Sequence, residues 1–230
     1  MGLLETIKNL LSKSVVDETA MRKKWLTWVG EIQEKTAYIL EIREIQSRYL
    51  EIVDKNKQIQ NPPDFHRWVL QNYGASVVMS IRRQLDMSPD VVSLRRLLAE
   101  MSVHPKVVSR NWFRSFYTNP HTNPDGDFSV IAGSGEYFDP EIAKKDIKDL
   151  DTLGRNIKKY ANKELAHNTN TNVSVTYKEI NNFIESLDKM VSRYYLLFTG
   201  SSMESSLPIW QYDWQEIFTK PWIARRTDQV

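Results

Sequence analysis

Apolar residues recur at steps of three and four along most of this chain, with charged residues between them. From about residue 17 to 59, Trp25, Trp28, Val29, Ile32, Ile39, Ile42, Ile45, Tyr49, Ile52 and Val53 mark one face. Arg22, Lys23, Lys24, Glu31, Glu34 and Glu51 fill the gaps. Residues three and four apart share one side of a helix, so this spacing predicts a single long amphipathic helix. Pro62-Pro63 ends it, because neither proline has an N–H to donate. A second helix is expected over about 65–86, with Asp64 as N-cap and Phe65, Trp68, Val69, Tyr73, Val77, Ile81 and Leu85 on its inner side. Ser88-Pro89 reads as the start of a short helix carrying Val92, Leu94, Leu97, Leu98 and Met101. Pro105 reads as the start of another, through Val107, Trp112, Phe113 and Phe116.

The pattern breaks at 118–138, TNPHTNPDGDFSVIAGSGEYF. Asn-Pro twice, then Asp-Gly and Gly-Ser-Gly, is turn chemistry and predicts the longest loop. Asp139-Pro140 then opens a helix to about 167, with Ile147, Leu150, Leu153, Ile157, Tyr160 and Leu165 as its apolar side. Thr176 with Glu179 forms a capping box for a last long helix over about 176–199, closed by Gly200. Its inner face is Ile180, Phe183, Ile184, Leu187, Val191, Tyr194 and Tyr195. A polar linker, SSMESS, leads to IWQYDWQEIFTKPWI, which is too aromatic to be left in water and is expected to pack back on the bundle. The reading is all-α, an elongated helical bundle forming one domain over 1–230. It has an N-terminal amphipathic helix at 1–15, a long loop at 118–138 and a C-terminal tail at 201–230.

Composition narrows the functional classes. The chain has 230 residues, 41% of them apolar and 26% charged, which suits a domain with a substantial core. Cysteine is absent, so disulfides and thiolate metal sites are excluded, and a reducing, cytoplasmic compartment fits. The formal net charge is only +2, so any phosphate-binding surface must be local. No apolar run approaches a membrane span. Glu5 interrupts the apolar start, which argues against a secretory signal, while Gly2 and Thr6 match the short myristoylation pattern. Leu3, Leu4, Ile7, Leu10 and Leu11 form a helical stripe, expected to dock on the body or on a partner chain, with surface membrane binding as the alternative.

Candidate chemistry concentrates in YANKELAHNT, residues 160–169. On a continuous helix Leu153, Tyr160 and His167 lie on one side, placing the imidazole at the end of the core-facing stripe. Arg155, Lys159, Lys163 and His167 are spaced by four, with Lys158 beside them. A histidine where a packed seam meets a basic edge can hold a phosphate next to a group that titrates near neutral pH. Two plainer readings stand beside it. Lysines spaced by four form a solvated face, and a histidine near a helix C-terminus is favoured by the dipole.

Three stretches carry a family resemblance: SIRRQLDMSPDVVSLRRLL at 80–98, YANKELAHN at 160–168 and IFTKPWI at 217–223. In their order and spacing the chain resembles the HEPN superfamily of helical nucleic-acid-associated proteins, closest to its abortive-infection U type. The resemblance implies a four- to five-helix bundle, usually dimeric, of the phage-defence or toxin–antitoxin kind, with RNA and an antitoxin or other protein as candidate partners and no cofactor. Active members are metal-independent endoribonucleases with an Arg-x(4–6)-His motif. The histidine moves the proton of the ribose 2′-hydroxyl and the arginine holds the scissile phosphate. His167 matches that histidine, and Asn162 matches the polar residue that follows the arginine. The arginine itself is missing, because position 161 is alanine. Either Lys163 or an arginine from another helix replaces it, or the chain is a non-catalytic HEPN module that binds a protein or nucleic acid. The basic residues at the site are then Lys163, Lys159, Arg155 and Lys158.

Other sites fail on spacing. His66, His104, His121 and His167 have no metal-ligand pattern. Asn123, Asp125 and Asp127 begin like a calcium loop, but Phe128 stands where the turn needs glycine and Ser134 where it needs glutamate. The seven tryptophans fall mainly on apolar helix faces, which favours core or interface over base stacking.

Overall fold

The computed structural model describes residues 17–119, 121–165 and 173–219. The N-terminal stripe, His167 and the last residues of the tail lie outside them. Helices begin where the sequence supplies an acceptor for the first free N–H groups. The Asp17 carboxylate accepts from Ala20 N and opens α1, Glu18–Lys55. The second helix, α2, Pro63–Gln84, has no side-chain cap. Pro62 is its N-cap residue and Pro63 its first, where a missing N–H costs nothing. Asp64, read as the N-cap, instead sits inside the first turn and pairs with Arg67 at 2.8 Å.

The next helix, α3, spans Leu94–Val103 and begins at Ser93 rather than at Ser88-Pro89, because Ser93 Oγ accepts from Arg96 N. Asp86 accepts from the Ser88 amide and hydroxyl, and Gln84 Oε1 accepts from Leu94 N, so the α2–α3 turn is held from both sides. A short 3-10 turn, Pro105–Val107, leads to α4, Arg110–Arg114.

The stretch read as one long loop contains a helix, α5, Pro124–Ala132. Its Asn-Pro pair is a helix start: Asn123 Oδ1 accepts from Gly126 N, and Pro124 takes the first position. Gly133, at φ 98°, ends it. Arg110 donates to the carbonyls of Asp125, Gly133 and Gly135 and so ties both ends of this segment to α4.

The sixth helix, α6, Pro140–Tyr160, is capped by Asp139 and continues as a π turn over Ala161–Leu165. The seventh, α7, Tyr177–Thr199, starts with the expected capping box of Thr176 and Glu179, and its C-cap Gly200 is left-handed at φ 68°. Seven α-helices and no β-strand are found among the described residues, and none of those helices is long and apolar enough to cross a membrane.

Helix α1 lies along α7 and α2, and α6 packs on α3, α7 and α2. Trp25, Ile39, Val77, Ile81, Leu97, Leu150, Phe183 and Leu187 are fully buried between them. A Cβ on Gly154 would sit 2.3 Å from Leu85 Cδ1 and 3.1 Å from Phe183, so glycine lets α6 approach the end of α2. Arg95 grips Asp151 through two bonds of 2.7 and 2.9 Å, fixing α3 on α6. After α7 the chain meets the bundle where Ser205 and Ser206 donate to Asp188. It meets it again where Phe218, in the 3-10 turn Trp214–Phe218, lies 6.3 Å from the Tyr49 ring. Between these points Ile209 and Tyr212 remain 85% and 72% exposed.

Candidate active site

The site candidates cluster at the C-terminal end of α6. Arg155, Lys158 and Lys159 are all exposed on its last turns. After Tyr160 the backbone widens into the π turn, which inserts an extra residue into the helix. Such single π turns are rare and concentrate at functional sites. The insertion also breaks the step-of-four line, so Lys163, itself exposed, follows a change of register from Arg155 and Lys159.

Ala161, where the motif would place arginine, is 0% exposed and part of the hydrophobic core. An arginine at this position would carry its charge into the bundle. Asn162 is half-buried and reaches α2, where its Oδ1 accepts from Arg82 Nε at 2.5 Å. A guanidinium from a different helix thus stands beside Asn162. The Nε bond fixes the plane of the Arg82 fork. Arg82 Nη1 lies 3.7 Å from Asp86 Oδ2, and the Arg82 side chain keeps 33% of its surface exposed. The backbone amide of Ser88, followed by its hydroxyl, holds the Asp86 carboxyl below its ordinary value, so Asp86 is an anion beside Arg82.

Sequence reasoning missed Arg82, although it lies in the SIRRQLD stretch. Two arginines in a last helical turn read as dipole complements, and nothing local says that one of them crosses to another helix. Asn162 is therefore placed in contact with a cation. Arg155, Lys158 and Lys159 are exposed on the last turns of α6, and His167 lies outside the described residues.

The remaining candidates resolve into structural roles. His66 donates from Nε2 to the Ile59 carbonyl, which leaves Nδ1 to accept from the Tyr49 hydroxyl. Asp125 receives Arg114 through bonds of 2.9 Å and is also met by Arg110. Trp25 and Trp28 are core residues, whereas Trp68 is 59% exposed and stacks on Phe65.

The sequence model of a HEPN family described as AbiU2 matches residues 22–218. Comparison with curated proteins and with solved structures gave no match. The family match runs from within the first turns of α1 through the other six helices and covers both sides of the Arg82–Asn162 contact, and the chain belongs to the AbiU2 family of HEPN proteins.

Proposed function

We propose that this protein is a metal-independent endoribonuclease of a phage-defence or toxin–antitoxin-type system, acting in the cytoplasm as a homodimer. Arg82 takes the place of the absent motif arginine. Held in plane by Asn162, it offers its Nη edge to the scissile phosphate, displacing the long contact to Asp86. His167 accepts the proton of the ribose 2′-hydroxyl as that oxygen attacks phosphorus. The bond from phosphorus to the 5′-oxygen breaks, leaving a 2′,3′-cyclic phosphate, and the expelled 5′-oxygen takes up a proton to become a 5′-hydroxyl. The observation that carries this reading is the 2.5 Å bond from Arg82 Nε to Asn162 Oδ1, which sets a guanidinium beside a residue five positions before His167 in the chain.

The test is incubation of purified wild type, His167→Ala and Arg82→Ala with end-labelled total RNA in EDTA. Cleavage by wild type alone, with cyclic phosphate ends, is the expected result. Retained cleavage in a pure His167→Ala sample sinks the catalytic assignment.

Burial of Ala161 favours a second reading, a non-catalytic HEPN module that binds a protein or nucleic-acid partner, because no arginine is available from the motif position itself. RNA left intact by wild type, but retained by it in a binding assay, is the outcome that selects this reading.

A further inference from the structure

A cleft of about 780 Å³ lies beside the Arg82–Asn162 pair, between α2, the π turn and the start of α7. Its α2 wall includes Arg67, Gln71, Ala75 and Val78. These residues follow one another at helical steps of four, four and three, and a further step of four reaches Arg82. The cleft and the candidate phosphate contact therefore share one face of α2. That face carries an arginine at each end, about 22 Å apart along the axis.

The opposite wall is aromatic. It includes Tyr160, just before the π turn, and Tyr177, the first residue of α7. Tyr177 is 49% exposed, and its ring is already stacked on Tyr73, at 6.1 Å between centroids and 20° between planes. Tyr73 is buried, and burial followed by the neighbouring Tyr177 pushes its phenol up to about 12. The phenol stays neutral at physiological pH and forms a fixed backing for Tyr177. Arg67 pairs with Asp64 only as an exposed pair one helical turn apart, a contact of little strength that a phosphate can displace.

A cleft with Arg67 on one wall, Arg82 one helical turn beyond that wall on the same face of α2, and stacked tyrosine on the other wall fits an unpaired nucleic-acid strand. Unpaired bases stack on aromatic rings while their phosphates follow the cations. A duplex presents no free base face to such a wall. We infer that this cleft binds single-stranded RNA on one side of the cleavage site, with a base against Tyr177 and backbone phosphates at Arg67 and Arg82. The inference rests on the ribonuclease reading for its ligand class, but it concerns binding and is measured separately from cleavage.

The experiment is fluorescence anisotropy with a labelled ten-nucleotide RNA of mixed sequence, and with the same strand annealed to its complement, on the full-length protein. Tyr177→Ala is expected to weaken single-strand binding about ten-fold or more, and Tyr177→Phe to restore it, because the ring and not the hydroxyl does the stacking. Arg67→Ala is expected to lower the slope of log affinity against log salt by about 0.7, the loss of one phosphate contact. Lys144→Ala, at the far end of α6, is the control and should bind as wild type does. Equal affinity of wild type and Tyr177→Ala, or preference for the duplex, overturns the inference. Single-strand binding that depends on Tyr177 but yields no cleavage upholds the cleft and removes the nuclease. Cleavage by Tyr177→Ala at the wild-type KM upholds the nuclease and removes the cleft.

Discussion

Arg82, near the end of α2, donates from Nε to Oδ1 of Asn162, on the π turn that ends α6, at 2.5 Å. The two residues are 80 positions apart in the chain. The bond joins a cation from one helix to a polar side chain at the point where α6 gives way to a π turn.

Arg82→Lys should keep the charge and lose the planar fork. Lysine cannot hold Asn162 through Nε and present two parallel donors to a phosphate. The expected result is a fall in kcat of about 100-fold or more, the scale of losing one preorganised donor, with the melting temperature little changed. Asp86→Asn should move the other way on binding, because it removes the anion that faces the Arg82 Nη edge. Cleavage of labelled RNA at saturating substrate checks Arg82→Lys, and titration of the same single strand checks Asp86→Asn. Unchanged kcat in Arg82→Lys would mean that the guanidinium does not touch the phosphate.

Placing arginine at the motif position by Ala161→Arg should destabilise the protein rather than activate it. Position 161 is fully buried in the core, so the new side chain must either bury an unpaired charge or force the π turn away from α2. The cost is about 3 kcal/mol or more. Urea denaturation of variant and wild type measures it. A variant as stable as wild type and more active would contradict the inward direction of this side chain.

Acid should weaken the packing of α1 on α3 through Glu100. Burial raises its carboxyl, but hydrogen bonds from Lys24 and Trp25 Nε1, with the charges of Lys24 and Arg96, outweigh burial and hold it below the ordinary value. A carboxyl depressed in the folded state contributes stability at pH above its unfolded pKa, about 4.3, and loses that contribution as pH falls through the lower folded pKa. The melting temperature should therefore fall more steeply below about pH 4.3 in wild type than in Glu100→Gln. Parallel acid limbs in the two proteins would remove Glu100 as a cause.

Gly200→Ala should destabilise the end of α7. The position is left-handed at φ 68°, and a Cβ there would lie 2.5 Å from Phe116 Cβ. The backbone penalty alone is about 1–2 kcal/mol, and Phe116 has to shift as well. A lowered midpoint with an unchanged denaturant slope is the expected signature.

Three boundaries show what was legible locally. Asp139-Pro140, the Thr176–Glu179 box and Gly200 each lie where the sequence places them, because a cap is satisfied within one turn of chain. Ser88-Pro89 and Asn119-Pro120-His121-Thr122-Asn123-Pro124 misled for the same local reason. Each offers several polar residues before a proline, and the choice among them depends on partners elsewhere. Gln84, reaching back from α2 to Leu94 N, selects Ser93 as the start of α3. Arg110, reaching from α4 to the carbonyls around α5, holds that helix in a stretch that reads as loop.

The sequence by itself determined the helices, their apolar faces, most of their caps and the family, since hydrophobic period and capping chemistry are written within a few residues of chain. It also offered Asn162 and His167 as candidates through the family resemblance and showed alanine at position 161. Only the tertiary structure decided that Ala161 faces the core, that the turn after Tyr160 is π and that Arg82 meets Asn162. Periodicity says which side of a helix is inward but not which helix lies opposite, and a single inserted residue rotates everything after it. The cation beside the motif was in the sequence throughout, and the close antiparallel approach of α2 and α6, permitted by Gly154, put it there.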